Sequence, residues 1–176
     1  RLYESVEAPD RDRLRARERI GILDSSLDHI QWLPDLVAPD NSYGSMVRKA
    51  IPSDAGAYIA VAGWVRSIAM LDVKANAILW DRMSEYANAI VDAAFSPDNK
   101  YVYAGGTLGC VFVIETKTGK VVNKWWANEA GKPIYGHRIS TIAASADGRF
   151  VAAGTGPMGL TFLFDRSEER RVGKEC

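Results

Sequence analysis

Histidines, cysteines, aspartates and glycine pairs are the residues of this 176-residue chain whose types could do chemistry. A metal centre needs ligands at short, regular spacing, such as paired Cys or His-Glu-x-x-His. The chain has no such spacing. His29 and His137 lie far apart in the sequence, and His29 reads as a surface or core residue in a strand. Cys110 reads as a small buried hydrophobe, far from Cys176. Asp92, Asp98 and Asp147 read as strand-end and turn residues rather than as an acid–base pair. Gly105-Gly106 and Gly154-Thr155-Gly156 suggest a phosphate loop, but that chemistry needs a helix start, and here a strand follows. A Gly-x-Ser-x-Gly elbow is absent as well. No catalytic, cofactor-binding or metal-ligating residue is assigned, no cofactor is expected, and the chain is expected not to be an enzyme.

The elements that would position these residues are strands. Ile90 to Glu115, IVDAAFSPDNKYVYAGGTLGCVFVIE, reads as strand, tight turn at Ser96-Pro97-Asp98-Asn99, strand, Gly-bearing turn, strand. The pattern recurs. Tyr58 and Tyr101 stand 43 residues apart, as do Ser53 and Ser96, Gly63 and Gly106, Asp72 and Glu115, and Asn76 and Gly119. Asn and Gly both accept the positive φ of a tight turn. Phe150 follows Tyr101 by 49 residues, and Ser145, Asp147 and Gly154 keep that spacing from Ser96, Asp98 and Gly105. The six added residues fall between Trp126 and Ile139, in a loop, where length changes are cheap. Gly63, Gly106 and Gly154 are expected at or beside the turns between second and third strands, with Gly106 a candidate for positive φ.

A period of about 43 with four strands per unit resembles the WD-repeat β-propeller, whose repeats run to ~40–45 residues. Gly136-His137 stands where that family carries its Gly-His pair. Ser96-Pro97-Asp98-Asn99 and Ser145-Ala146-Asp147-Gly148 stand where it carries its Ser-Pro-Asp-Gly turn. Leu71-Asp72, Ile114-Glu115 and Phe164-Asp165 replace the Trp-Asp pair, so the usual His, Ser/Thr and Trp network is incomplete. The resemblance covers Ser45 to Asp165. It implies an all-β fold: a partial propeller of two full four-stranded antiparallel blades, about 45–83 and 89–128, and an incomplete third, 138–165. A quinoprotein-like propeller is the neighbouring possibility.

Outside the repeat, residues 1–26 carry six Arg against six acids in Arg1 to Asp24, and are expected to be a charged, partly helical or disordered segment. Residues 27–44 hold one strand, Leu27 to Leu33, and a loop. That strand either closes the last blade of a ring or ends an earlier blade. Trp125 and Trp126 alternate, so one is expected to fill the gap between blades and the other to lie nearer solvent. Residues 166–176, RSEERRVGKEC, resemble a translated sequencing adapter. They are expected to be non-native, extended and poorly packed, with the natural chain continuing past Asp165 and the N-terminus incomplete.

Acidic and basic residues balance at 22 each, which gives no global electrostatic case for nucleic acid or an acidic membrane. No apolar run is long enough to span a bilayer. The resemblance implies a protein–protein interaction scaffold. The loops of one face would hold Trp64, Arg66, Tyr86, Asn88, Leu108, Tyr135, His137, Arg138 and Met158, and aromatics, Arg and Met dominate binding hot spots. Partner contacts are expected from Trp64, Arg66, Tyr86, Tyr135, His137, Arg138 and Met158. The expected partners are proteins or peptides, and missing blades of the same chain. The alternative is a fragment of a quinoprotein-like propeller enzyme. It would need polar residues on the channel-side strands, where Arg48, Lys49 and Asp92 are the charges. A lone Cys110 in the repeat points to a reducing compartment, cytoplasm or nucleus.

Overall fold

Three short turns set the architecture. In the computed structural model, which describes residues 17, 18, 20–23, 26, 29–34, 36, 37, 47–63, 68–82, 89–127, 137–156 and 159–167, each turn has the same wiring. The amides of Gly56, Asn99 and Gly148 donate to the carbonyls of Ser53, Ser96 and Ser145, at 2.8, 2.8 and 2.9 Å. Each serine hydroxyl accepts from the first amide of the next strand, Tyr58, Tyr101 or Phe150. The closing residue has positive φ in all three: Gly56 65°, Asn99 54°, Gly148 70°. Asparagine and glycine tolerate this conformation, and β-branched residues do not. The turn is therefore written locally, and it folds each strand back on its predecessor.

The resulting sheets are antiparallel. The first, in spatial order, is β5 (Val47–Pro52), β6 (Tyr58–Gly63), β7 (Ile68–Asp72) and β8 (Ala77–Arg82). The second is β9 (Ile90–Phe95), β10 (Tyr101–Gly106), β11 (Cys110–Glu115) and β12 (Val121–Trp126). The third is β13 (Ile139–Ala144), β14 (Phe150–Thr155) and β15 (Thr161–Asp165). The first strands are innermost: β9 lies against β5 and β6 on one side and against β13 on the other. Among the described residues the fold is all-β, a partial propeller.

Ahead of these sheets the expectation of partial helix fails where it can be seen. β1 (Arg17–Glu18) and β2 (Gly21–Leu23) are strands, pairing with β4 (Leu36–Val37) and β3 (Ile30–Trp32). A bond from Leu33 N to Ile20 O at 2.9 Å continues the pairing between them. The Arg-rich sequence is too poor in apolar residues for a helical face, but Ile20 and Ile22 alternate, and a hairpin needs only that. Their side chains and Leu33 pack on Ile59, Val61, Ala69 and Leu71 of the first sheet. Residues 1–16 lie outside the described residues.

The core sits between sheets. Met70, Ile68, Ala60 and Ala62 meet Ile90, Val102, Ala104, Phe112 and Ile114 between the first and second. Tyr103, Val111, Val113 and Trp125 meet Ile139, Ile142, Val151 and Ala153 between the second and third. Each fully buried large apolar side chain contributes about 1.5–3 kcal/mol, so these two layers dominate the fold's stability. Of the tryptophan pair, Trp125 enters the second layer and stacks between Tyr103, at 5.7 Å, and Phe164, at 5.1 Å. Trp126, half-buried, points back towards the first.

Two glycines are there for close approach. A Cβ on Gly105 would stand 2.5 Å from Ile139 Cγ2 and 2.8 Å from Ile142 Cδ1. One on Gly119, whose φ is 67°, would stand 2.7 Å from the indole of Trp80, which donates Nε1–H to Thr116 O at 2.7 Å. Gly106 has no positive φ, contrary to expectation, and its Cβ would meet nothing closer than 3.5 Å. The positive φ lies three residues on, at Gly109, where the turn closes onto Gly106 O.

Candidate functional site

The inner strands carry three residues at the same repeat position, and the first two meet. Lys49, Asp92 and Thr141 stand opposite Ala62, Gly105 and Gly154, each beside an irregularity in strand register. Asp92 is 2% exposed and spans all three sheets. Its Oδ1 accepts from Lys49 Nζ at 2.6 Å and from its neighbour Ala93 N at 2.8 Å. Its Oδ2 accepts from Ile142 N at 3.0 Å. Asp92 is thus not a strand-end or turn residue. It lies inside β9, and small residues opposite it leave room for its carboxylate. A buried carboxylate requires such compensation, and one cation plus two amides provide it. The signal was present in the sequence, since Lys49 and Asp92 are themselves 43 residues apart, but alignment alone does not say that equivalent positions touch.

At the loop end of the second and third sheets, His137 Nδ1 lies 3.1 Å from Ala127 O. Ala127 N in turn donates to Gly109 O at 2.8 Å. A Cβ on Gly109 would stand 2.8 Å from His137 Cβ, so glycine lets the incoming chain lie directly over the β10–β11 turn. His137 is thereby anchored two residues before β13. Next to it Arg138 accepts from Gly156 N at 3.1 Å through its carbonyl. Its Nε is buried and has no hydrogen-bond partner among the described residues, and the same holds for Ser140 Oγ nearby in the chain. Of the seven expected contact residues, the structure brings His137 and Arg138 together. Trp64, Arg66, Tyr86, Tyr135 and Met158 lie outside the described residues.

The turn carboxylates are structural. Ser96 Oγ donates to Asp98 at 2.6 Å and Ser145 Oγ to Asp147 at 2.5 Å, and the amides of Lys100 and Arg149 donate to the same oxygens. Partial burial works to raise the pKa of Asp98, but the hydrogen bonds from Ser96 and Lys100 outweigh it and hold the carboxyl below its ordinary value. The Ser145 hydroxyl, then the Arg149 amide, lower that of Asp147. Asp165 is lowered to about 2, first by the Ser167 hydroxyl and then by the Arg149 guanidinium. Ser167 and Arg166 belong to the segment expected to be poorly packed, and both are engaged. Arg166 lies 5.2 Å from the centre of the Tyr101 ring, its Nη1 donates to Gly148 O, and its amide donates to Arg149 O. Residues 168–176 lie outside the described residues. Among the described residues no group of three His, Cys, Asp or Glu is placed to hold a metal ion.

No family model matches the chain. Solved structures do, in 542 chains, so the architecture is widely shared and carries no function by itself. One is a chain of the crystal structure of mitotic checkpoint complex, with a TM-score of 0.69 at 13% identity, matched over 87% of this chain. This chain spans 42% of the length of that one. At such identity the likeness concerns the fold, which defines the protein's class as a partial β-propeller.

Proposed function

We propose that this chain is part of a protein–protein interaction scaffold of the WD-repeat type, contacting proteins or peptides through the loops at the junction of its sheets. The observation that carries the reading is the pair His137 and Arg138. His137 is tied to Ala127 over Gly109, while Arg138 keeps a buried Nε with no partner among the described residues. An arginine beside this anchored backbone suits a partner carboxylate, because a charged hydrogen bond between them is strong. Trp64, Arg66, Tyr86, Tyr135 and Met158 would extend the same face. On the channel side, Lys49 and Asp92 neutralise each other, which leaves that pair committed to the fold rather than to a cofactor. Cys110 is buried as a thiol, in keeping with a cytoplasmic or nuclear setting. The test is Arg138→Ala in a pull-down from a lysate of the source cells, compared with wild type. Loss of a specific band with an unchanged circular dichroism spectrum supports the scaffold. An unchanged set of captured proteins counts against it.

A further inference from the structure

Among the described residues, shifts in strand register fall only on strands at the edges of sheets. The central pairs β6–β7, β10–β11 and β14–β15 run without one. The innermost strands β5, β9 and β13 each pair through a shift, and those in β5 and β9 sit beside Lys49 and Asp92, whose contact joins the first two sheets. The outermost strands β8 and β12 are shifted as well. Ile78 pairs with Leu71 and Trp80 with Met70, so Leu79 is an extra residue with no counterpart in β7. Val121 pairs with Ile114 and Asn123 with Val113, so Val122 is extra in the same way. The two stand 43 residues apart, at one repeat position, and are 38% and 47% exposed.

Neither residue is needed to place its neighbours. Without Leu79, Ile78 and Trp80 would be consecutive opposite Leu71 and Met70, which are themselves consecutive. Ile78 would stay in the layer shared with the N-terminal hairpin and Trp80 in the layer shared with the second sheet. Without Val122, Val121 would keep its place against the first sheet and Trp125 its place against the third. What the extra residue changes is the edge. No described strand pairs with the outer side of β8 or β12. A bulge bends its strand and breaks the even spacing of amides and carbonyls. An incoming strand would stay in register with Trp80 to Arg82, or with Asn123 to Trp126, but not along the whole of either strand. Charge is the other common protection of an edge. Lys120 and Lys124 flank Val122, but Asp81 and Arg82 follow Leu79 with opposite signs, so the feature common to both edges is the bulge. We propose that Leu79 and Val122 are edge guards, which keep the outer strands of the first two sheets from pairing with a strand of another chain.

The test uses the 176-residue chain lacking Leu79 or lacking Val122, in sedimentation velocity over a concentration series beside wild type. Hydrogen exchange is read at the amides of β8 and β12. Each deletion should leave the circular dichroism unchanged. Each should also lower the concentration at which the chain self-associates about tenfold, the gain from two further ladder hydrogen bonds in register. Exchange along the regularised strand should slow as association rises. Lys120→Thr combined with Lys124→Thr, which leaves the bulge in place, should associate as wild type does. Four results overturn the proposal. Folded deletion variants that associate no more readily than wild type would show that the bulge guards nothing. The lysine variant alone reproducing the shift would assign the guard to charge. Wild-type amides of β8 and β12 gaining protection with concentration would show that the bulged edges pair after all. Unfolding of both deletion variants would show that the extra residues serve the fold itself.

Discussion

Replacing Asp92 by Asn isolates what the inter-sheet carboxylate does. The substitution conserves shape and removes the charge. Asp92 uses Oδ1 for Lys49 and Ala93 and Oδ2 for Ile142. An Asn has one carbonyl oxygen, so whichever way the amide is turned, its NH₂ faces a donor. A buried amide left unsatisfied costs about 1–3 kcal/mol. The ion pair adds about 1 kcal/mol or less, because the Lys49 side chain is 51% exposed and remains hydrated without its partner. Asp92→Asn should therefore destabilise the fold by roughly 1–4 kcal/mol, close to 2–16 °C in melting temperature at this size. The assay is urea unfolding followed by circular dichroism, with a double-mutant cycle against Lys49→Met. The expected coupling is about 1 kcal/mol or less, with most of the Asn cost persisting in the Lys49→Met background. Hydrogen exchange at the Ile142 amide should accelerate in Asp92→Asn. A loss under about 0.5 kcal/mol, within the range of ordinary surface substitutions, would refute the account of Asp92 as a bridge. So would a coupling as large as the whole effect.

Gly105→Ala should cost about 1–3 kcal/mol by overpacking Ile139 and Ile142, while Gly106→Ala should cost under about 1 kcal/mol; thermal melts of the pair compare them directly. Gly119→Asn satisfies the positive φ but drives its side chain into Trp80, so it should destabilise by ~1–3 kcal/mol, whereas Asn76→Gly, also at positive φ, should change stability by only a few tenths of a kcal/mol. The three turn and strand-end carboxylates have lowered folded pKa values, so their contribution is present above the ordinary value of 3.8 and is lost as pH falls through the folded values, down to about 2 for Asp165. Stability measured from pH 5 to pH 2 should fall, and Ser167→Ala should move the last part of that fall to higher pH. Arg138→Ala should leave the melting temperature within about 2 °C of wild type while weakening partner capture.

The turns were the most legible part of the sequence. Ser-x-x-Asn and Ser-x-x-Gly specify backbone dihedrals and serine hydrogen bonds within six residues, so local chemistry is enough to read them. Strands β9 to β11 were equally open to reading, because each is an apolar run bounded by such turns. Side-to-side contacts were less legible. Repetition says that Lys49, Asp92 and Thr141 are equivalent, but only the wrapping of the inner strands makes the first two an ion pair and brings the Ile142 amide to the second. In the N-terminal hairpin, β3 falls within the strand read over Leu27 to Leu33, but its partner β2 is hidden for the opposite reason. Its charges dominate the composition, and the alternation that makes Ile20 and Ile22 pack on the first sheet occupies too few positions to register. Arg166 was misjudged as well, because charge suggested solvent, whereas a guanidinium can lie on the rings of Tyr101 and Tyr103.

The junctions show what ties neighbouring sheets together. Between the first two sheets, the Trp80 indole reaches across to Thr116 O, over a Gly119 that has no side chain to obstruct it. Between the second and third, Asp92 bonds the Ile142 amide, and Trp125 stacks on Phe164. Each device joins a side chain of one sheet to the backbone or ring of the next, and a glycine stands beside two of them, Gly119 at Trp80 and Gly105 opposite Asp92. The requirement common to both junctions is therefore spatial: two sheets must approach closely enough for one polar or aromatic side chain to bridge them. Different residues can meet that requirement at each junction, so the architecture is shared with a solved structure at 13% identity while the residues that hold it together differ from one repeat to the next.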